Sequence, residues 1–195
     1  MLRRFCRGVI TIQMALAVVS CGGSSQTEDT AKKFLKAWQT HDIKTLTMMT
    51  SPDVVIDLGM GTLVGRDHIV NPVEFSAGAN SVLEFNNVVV RGDTVEFEMV
   101  ERNEIITACD FEALYHYPRL IFENGLLVRK STVKEIPKFR LYVQRLGVLR
   151  AWITRSRPDV MDKITDERGN YIINRETGEL MALMARAWQE SKLVE

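Results

Sequence analysis

The stretch VLEFNNVVVRGDTVEFEMV, residues 82–100, decides the fold. Its two halves are rich in β-branched and aromatic residues, and Gly92-Asp93 between them is a hairpin-type turn signal. In the second half, apolar residues from Val95 to Met99 alternate with glutamates, which predicts one buried face and one solvated face. The stretch therefore predicts an antiparallel hairpin that covers a hydrophobic core.

Helical sequence precedes this hairpin and more β-rich sequence follows it. Helical spacing predicts helices over 27–40 and 43–49, and a third helical stretch that opens at Gly65 and is interrupted by Pro72. A short strand over 54–58 and a hairpin tip at 59–61 lie between them. The β-rich runs are 82–90, 94–106, 109–122 and 126–136. Helices first and an antiparallel meander second predict an α+β fold with helices on one side of a curved sheet.

Three local patterns point to one known architecture. Asp42-Ile43-Lys44-Thr45-Leu46 closes the first helix, Val55-Ile56-Asp57 is followed by Val64-Gly65-Arg66-Asp67-His68-Ile69, and Phe122-Glu123-Asn124-Gly125 enters the last strand. Their order resembles the nuclear-transport-factor-2-like superfamily, which includes the SnoaL-like cyclases and ketosteroid isomerase. The resemblance covers 27–136. It implies a cone-like curved antiparallel sheet packed against N-terminal helices, with an apolar interior that binds ligands.

The same resemblance implies a site. Asp57 matches the proton-shuttling aspartate of ketosteroid isomerase, and an apolar pocket would raise the pKa of such an acid toward neutrality. His116 shares a strand face with Pro118 and is expected to point into the cone, where an Asp57–His116 pair could transfer protons. Phe34, Trp38, Asp57 and His116 are therefore the expected pocket residues.

The rest of the isomerase machinery does not match. Phe34 stands at the position of the family's oxyanion-hole tyrosine, and Pro118 at that of its protonated acid, so both hydrogen-bond donors are missing. Steroid isomerase activity is not expected. Each site residue also has a structural alternative: Asp57 could accept from the turn amides at 59–61, His116 could only pack between two tyrosines, and Trp38 could be core.

The first residues predict where in the cell the protein is located. Arg3, Arg4 and Arg7 precede an apolar run over 9–19, which is too short to span a bilayer and is typical of a secretory signal. Val18-Val19-Ser20-Cys21 resembles the lipobox of bacterial lipoproteins. We expect a signal peptide over 1–20, lipid on Cys21 and a flexible tether over 21–26. This resemblance implies the cell envelope, and the outer membrane facing the periplasm in a Gram-negative host. The alternative is cleavage elsewhere, with Cys21 incidental.

Composition limits the classes of partner and cofactor that are expected. The chain has 25 basic and 25 acidic residues, and loss of the three leader arginines leaves 22 basic residues, a net charge of −3. This balance argues against a nucleic-acid partner. His41, His68 and His116 lack metal-ligand spacing, and no nucleotide motif is present, so no cofactor or metal is expected.

The C-terminal extension, 137–195, exceeds the family core. Its first predicted helix carries six basic residues and no acidic residue between Lys138 and Arg157, with one apolar stripe from Phe139 to Ile153 and a second at Leu141, Val148 and Trp152. Two stripes predict a helix between the domain and another surface. That surface could be the last helix (about 176–192), a second protomer or an anionic lipid surface.

Three functions remain open, of which the third is an assembly factor whose C-terminal helices dock an envelope complex. The first is a non-catalytic, membrane-anchored lipoprotein whose cone binds a small apolar ligand or a protein partner, with homodimerisation as in many relatives of the superfamily. The alternative is a small cofactor-independent lyase or isomerase, with Asp57 as general base and His116 as its partner.

Overall fold

The structure is a computed structural model that describes residues 19–20, 25–58, 61–134 and 137–193. Cys21 and nearly all of the predicted signal peptide lie outside the described residues. Within the described residues, no helix is both long enough and apolar enough to cross a bilayer.

Three helices lie before residue 82 in the described part of the chain. They are α1 (Ser25–Gln39), α2 (Ile43–Met49) and α3 (Asp67–Gly78). Asp42 caps α2 by accepting from the Thr45 amide at 3.0 Å. Two expectations need correction. The first helix includes Ser25 and Gln26, which were assigned to the tether, and α3 is not interrupted by Pro72, because apolar packing along the helix outweighs the one missing hydrogen bond.

Eight strands form one sheet. They are β1 (Val19–Ser20), β2 (Thr50–Asp57), β3 (Thr62–Val64), β4 (Val82–Arg91), β5 (Thr94–Arg102), β6 (Leu114–His116), β7 (Pro118–Glu123) and β8 (Leu126–Thr132). Their order is β1-β4-β5-β7-β8-β2-β3, with β6 beside the far part of β5. Antiparallel pairing of β4, β5, β7 and β8 confirms the predicted meander.

Two pairings extend the meander. The strand β2 pairs in parallel with β8, and β3 is its antiparallel partner, as the hairpin prediction required. The two-residue β1, which falls inside the predicted signal peptide, pairs in parallel with Val89–Val90. The α+β fold class, with a curved and unclosed sheet, is confirmed.

Three predicted strands are shorter than expected, and the run over 126–136 ends as a strand at Thr132. The run over 94–106 ends as a strand at Arg102, because the Asn103 side chain accepts from the Ile106 amide and starts α4 (Glu104–Ala108). The run over 109–122 becomes β6 and β7, with Tyr117 between them.

The main core fills the concave side of the sheet. It is built around five aromatic side chains in edge-to-face contact, with ring centroids 5.3–6.3 Å apart: Phe34, Trp38, Phe85, Phe97 and Phe122. Phe34 is 0% exposed and Trp38 is 6% exposed. These rings occupy the deep part of the interior.

The extension forms a second core. It contains α5 (Phe139–Ser156), α6 (Pro158–Ile164), which the sequence analysis did not predict, and α7 (Arg175–Lys192). Leu149 and Ile153 of α5 are fully buried in one cluster with Met184 and Trp188 of α7, so the intramolecular alternative is confirmed for this half of α5. The helix α7 also packs on α3, where a Cβ atom added to Gly178 would lie 2.2 Å from the Phe75 carbonyl oxygen.

Candidate active site at the mouth of the cone

The concave face of β5 changes from apolar to acidic along its length. Val95, Phe97 and Met99 are buried in the main core, and Glu101 continues the same alternating row. The Glu101 side chain is 19% exposed. The row therefore ends in a carboxylate near the end of β5.

One oxygen of Glu101 is held by three donors. Ser81 Oγ donates to Oε1 at 2.8 Å, Ser76 Oγ at 3.1 Å and Asn103 Nδ2 at 3.2 Å. Ser76 comes from α3 and Ser81 from the turn after it, and both are buried. Because these donors fix Oε1, the second oxygen, Oε2, is the one directed at other groups.

His116 lies against that second oxygen. It stands opposite Met99 in the β5–β6 ladder, and directly opposed residues project to the same face, so its ring is on the concave side. Its Nε2 lies 3.6 Å from Glu101 Oε2, which is beyond hydrogen-bond distance, and within the described residues this buried nitrogen has no hydrogen-bond partner.

The surroundings keep Glu101 ionised. Burial raises the pKa of its carboxyl group, but His116 and the hydrogen bonds from Ser81 and Ser76 outweigh burial and hold the pKa below its usual value. A charged acceptor therefore faces the imidazole at neutral pH.

A second imidazole, at the end of α1, is influenced by the charge of the same carboxylate. His41 follows that helix with a φ of 53°, in the left-handed region. Its Nε2 is buried and, among the described residues, has no hydrogen-bond partner. Burial lowers the pKa of His41 although the Glu101 charge acts in the opposite direction, so the ring is neutral at physiological pH.

Lys130 adds a cation on the concave side. It stands opposite Ile56 and Leu120 in the sheet, and both are core residues. Its Nζ lies 5.2 Å from the centre of the Trp38 ring. Burial lowers the pKa of Lys130, and Glu101 partly opposes this. We call Glu101, His116, His41 and Lys130 the mouth cluster.

Solved structures share this architecture. A protein from Kribbella flavida DSM 17836 is 15% identical with a TM-score of 0.52, and the match covers 66% of this chain and 99% of that one. An NTF2-like protein of unknown function from Cytophaga hutchinsonii ATCC 33406 is 12% identical (TM-score 0.47; 63% and 99% covered). The curved, unclosed sheet with helices packed against it matches the NTF2-like cone fold. An LEH-like epoxide hydrolase from M. tuberculosis is 14% identical to this cone-fold chain (TM-score 0.47; 68% and 98% covered).

Sequence comparison adds no family. No protein-family model matches the chain, and no curated protein matches it. Identities below one fifth show the NTF2-like fold alone, so the chemistry has to be argued from the mouth cluster itself.

The four predicted pocket residues do not lie together in the structure. Phe34 and Trp38 lie in the core, and His116 lies at the mouth. Ile56 faces the core opposite Lys130, so Asp57, the next residue of β2, projects from the other face of the sheet and is half-buried there. The acid that the structure brings to His116 is Glu101, and catalysis by Asp57 stays a prediction.

Sequence reasoning missed Glu101, His41 and Lys130. A signal for Glu101 was present, because an acid that continues the alternation of Val95, Phe97 and Met99 must lie on the buried face. His41 carried no such signal, because the packing of α1 against the sheet decides its position. Within the described residues, no group of three or more His, Cys, Asp or Glu side chains is placed to hold a metal ion.

Proposed function

We propose that the mouth cluster is the active site of a small isomerase or lyase, in which His116 and Glu101 move a proton on an organic substrate. One observation carries the proposal: a buried imidazole nitrogen without a hydrogen-bond partner lies 3.6 Å from an ionised carboxylate. An unpaired buried polar atom costs free energy and is concentrated at functional sites.

The pair suits general acid–base catalysis. The His116 imidazole takes a proton from a carbon next to a carbonyl group: the C–H bond breaks, an N–H bond forms on the ring, and the electron pair moves into the enolate. The resulting imidazolium is stabilised by the Glu101 carboxylate beside it. Return of the proton to another carbon completes an isomerisation, and loss of a leaving group completes an elimination.

The enolate oxygen needs donors. Ketosteroid isomerase supplies two, and the matching positions here hold Phe34 and Pro118, which cannot donate. We propose that His41 and Lys130 replace them. A neutral imidazole donates a hydrogen bond without being consumed as an acid, and a half-buried ammonium stabilises the negative oxygen strongly in this poorly solvated setting.

A deuterium wash-in screen tests the proposal. Ketones and β-hydroxy carbonyl compounds are incubated with the protein in D2O, and loss of the α-proton signal is followed by proton NMR. We expect at least one compound to exchange faster than in buffer, and exchange to fall by about 10²- to 10⁴-fold in His116→Asn, the usual contribution of a general base. A panel that exchanges at the buffer rate, or equally fast with His116→Asn, contradicts the proposal.

A second candidate is a binding protein without catalysis. The observation that favours it is the filled interior, because five aromatic rings occupy the depth of the cone. Such a protein would bind an apolar ligand or a partner at the mouth. It is distinguished by ligands that raise the melting temperature but exchange no deuterium.

We further propose that Cys21 carries lipid and tethers the domain in a bacterial envelope. The support is the lipobox-like Val18-Val19-Ser20-Cys21 pattern, which precedes the described part of α1 by four residues. Expression of the full chain in bacteria, followed by fractionation and intact mass analysis, tests it. The lipid mass and the membrane location should both vanish in Cys21→Ser, and an unmodified wild-type mass would contradict the proposal.

A further inference from the structure

One apolar stripe of α5 is only partly covered by the rest of the protein. Leu141 is 45% exposed and Val148 is 53% exposed, while Trp152, four residues further, is half-buried against the second core. The three residues are spaced seven and four apart, so they follow one line along the helix surface. Phe139 and Val143, which belong to the other apolar stripe of α5, are 45% and 48% exposed.

Cations surround this stripe without acidic neighbours in sequence. No Asp or Glu occurs between Lys138 and Arg157. Two of the six cations of α5 and its flanks form ion pairs, Arg145 with Asp110 at 2.8 Å and Arg157 with Asp159 at 3.0 Å. Arg150 donates to the Gly169 carbonyl oxygen at 2.6 Å.

Three cations remain for an external partner. Lys138, Arg140 and Arg155 form no ion pair within the part of the chain that the structure describes. Arg155 also borders a shallow groove of about 440 Å³, which Gly147 and Ala151 line on the exposed side of α5. The small residues of this groove leave room for a partner to lie close to the helix.

We propose that this face of α5, defined by Leu141, Val148 and Trp152 with Lys138, Arg140 and Arg155 at its edges, docks on an anionic lipid surface. Apolar side chains that enter the acyl boundary, together with cations that meet anionic headgroups, are what an interfacial helix requires. An acidic protein would satisfy the cations alone, and a second copy of this chain would bring cations against cations. The anionic bilayer satisfies both components.

The contact is weak by itself and adds to any covalent anchor. It does not depend on the mouth cluster or on lipid at Cys21. If Cys21 is lipidated, the docked α5 would additionally fix the orientation of the domain on the membrane.

Co-sedimentation of the full chain carrying Cys21→Ser, which removes the site of any lipid anchor, with vesicles tests the inference. Vesicles of phosphatidylcholine are compared with vesicles that also contain phosphatidylglycerol, and we expect binding only to the second. Leu141→Gln with Val148→Gln should weaken partitioning about 30-fold, because about half of each side chain is available to leave water. Arg140→Gln with Arg155→Gln should also weaken it about 30-fold, since two cations lose their attraction to the surface.

A matched control distinguishes binding through this face of α5 from non-specific binding through any exposed apolar side chain. Met48 and Leu183 are 59% and 46% exposed on α2 and α7, so Met48→Gln with Leu183→Gln removes similar apolar area elsewhere. The control should bind as the wild type does, and circular dichroism should show every variant folded. Equal binding by the α5 variants, an equal loss in the control, or a wild-type dimer that only the α5 variants dissociate would each overturn the inference.

Discussion

Gly178 provides the sharpest test of how the extension joins the cone. It lies in the first turns of α7, where that helix crosses α3. A Cβ atom at this position would lie 2.2 Å from the Phe75 carbonyl oxygen and 3.0 Å from the Ala79 nitrogen. Both neighbours are backbone atoms, so no side chain can move aside, and the helices would have to separate by about 1 Å to restore ordinary contact.

The test is whether Gly178→Ala raises or lowers the free energy of unfolding. Replacing glycine by alanine in an unobstructed helix raises stability by up to about 1 kcal/mol, because alanine has the higher helix propensity. At Gly178 the overpacking should outweigh this gain, and we expect the free energy of unfolding to fall by about 1–3 kcal/mol. Gly147 in α5 is the matched control, since a Cβ there meets no atom of the described residues within 4 Å. Gly147→Ala should stabilise.

Urea unfolding of the full chain, followed by circular dichroism, measures both variants. The midpoint should move to lower urea for Gly178→Ala and to higher urea for Gly147→Ala, with unchanged slopes. A Gly178→Ala variant that is as stable as Gly147→Ala would refute the close α3–α7 crossing, and with it the integral packing of the extension.

Three further predictions concern buried groups. Leu149→Ala should lower the free energy of unfolding by about 2–5 kcal/mol in urea titrations, because this fully buried side chain leaves a cavity in the second core. Burial holds the pKa of His41 below its usual 6.5, so the unfolded chain takes up a proton at a higher pH than the folded chain does. The free energy of unfolding should therefore fall as the pH drops below 6.5. His41→Gln should flatten this fall in urea midpoints measured from neutral to mildly acidic pH. Burial raises the pKa of Cys109 to about 11, so its alkylation by iodoacetamide at pH 8, followed by peptide mass spectrometry, should be about 100-fold slower than in urea.

The sequence predicted most of the fold because its signals are local. Alternation at Val95–Met99 and the turns at Gly92-Asp93 and Asn124-Gly125 define the meander whatever the rest of the chain does. The errors occur where a cap or long-range packing decides: Asn103 ends β5 early, and α3 continues through Pro72.

The candidate site was harder to predict because it is assembled from distant segments. His116 was identified from its strand, but the donors that hold Glu101 come from α3 and the following turn, and His41 reaches the mouth from the end of α1. Asp57 was chosen by resemblance to an enzyme whose other donors this chain lacks. The alternation of β2, with Ile56 in the core, assigns Asp57 to the other face of the sheet.

The central claim is that Glu101, with His116, forms the proton-transfer pair. The most direct measurement is the rate of deuterium wash-in from D2O into a single exchanging compound, compared among the wild type, Glu101→Gln and Asp57→Asn. We predict that Glu101→Gln lowers the rate at least about 10²-fold, while Asp57→Asn exchanges as the wild type does. Loss of exchange in Asp57→Asn with full exchange in Glu101→Gln would contradict the account.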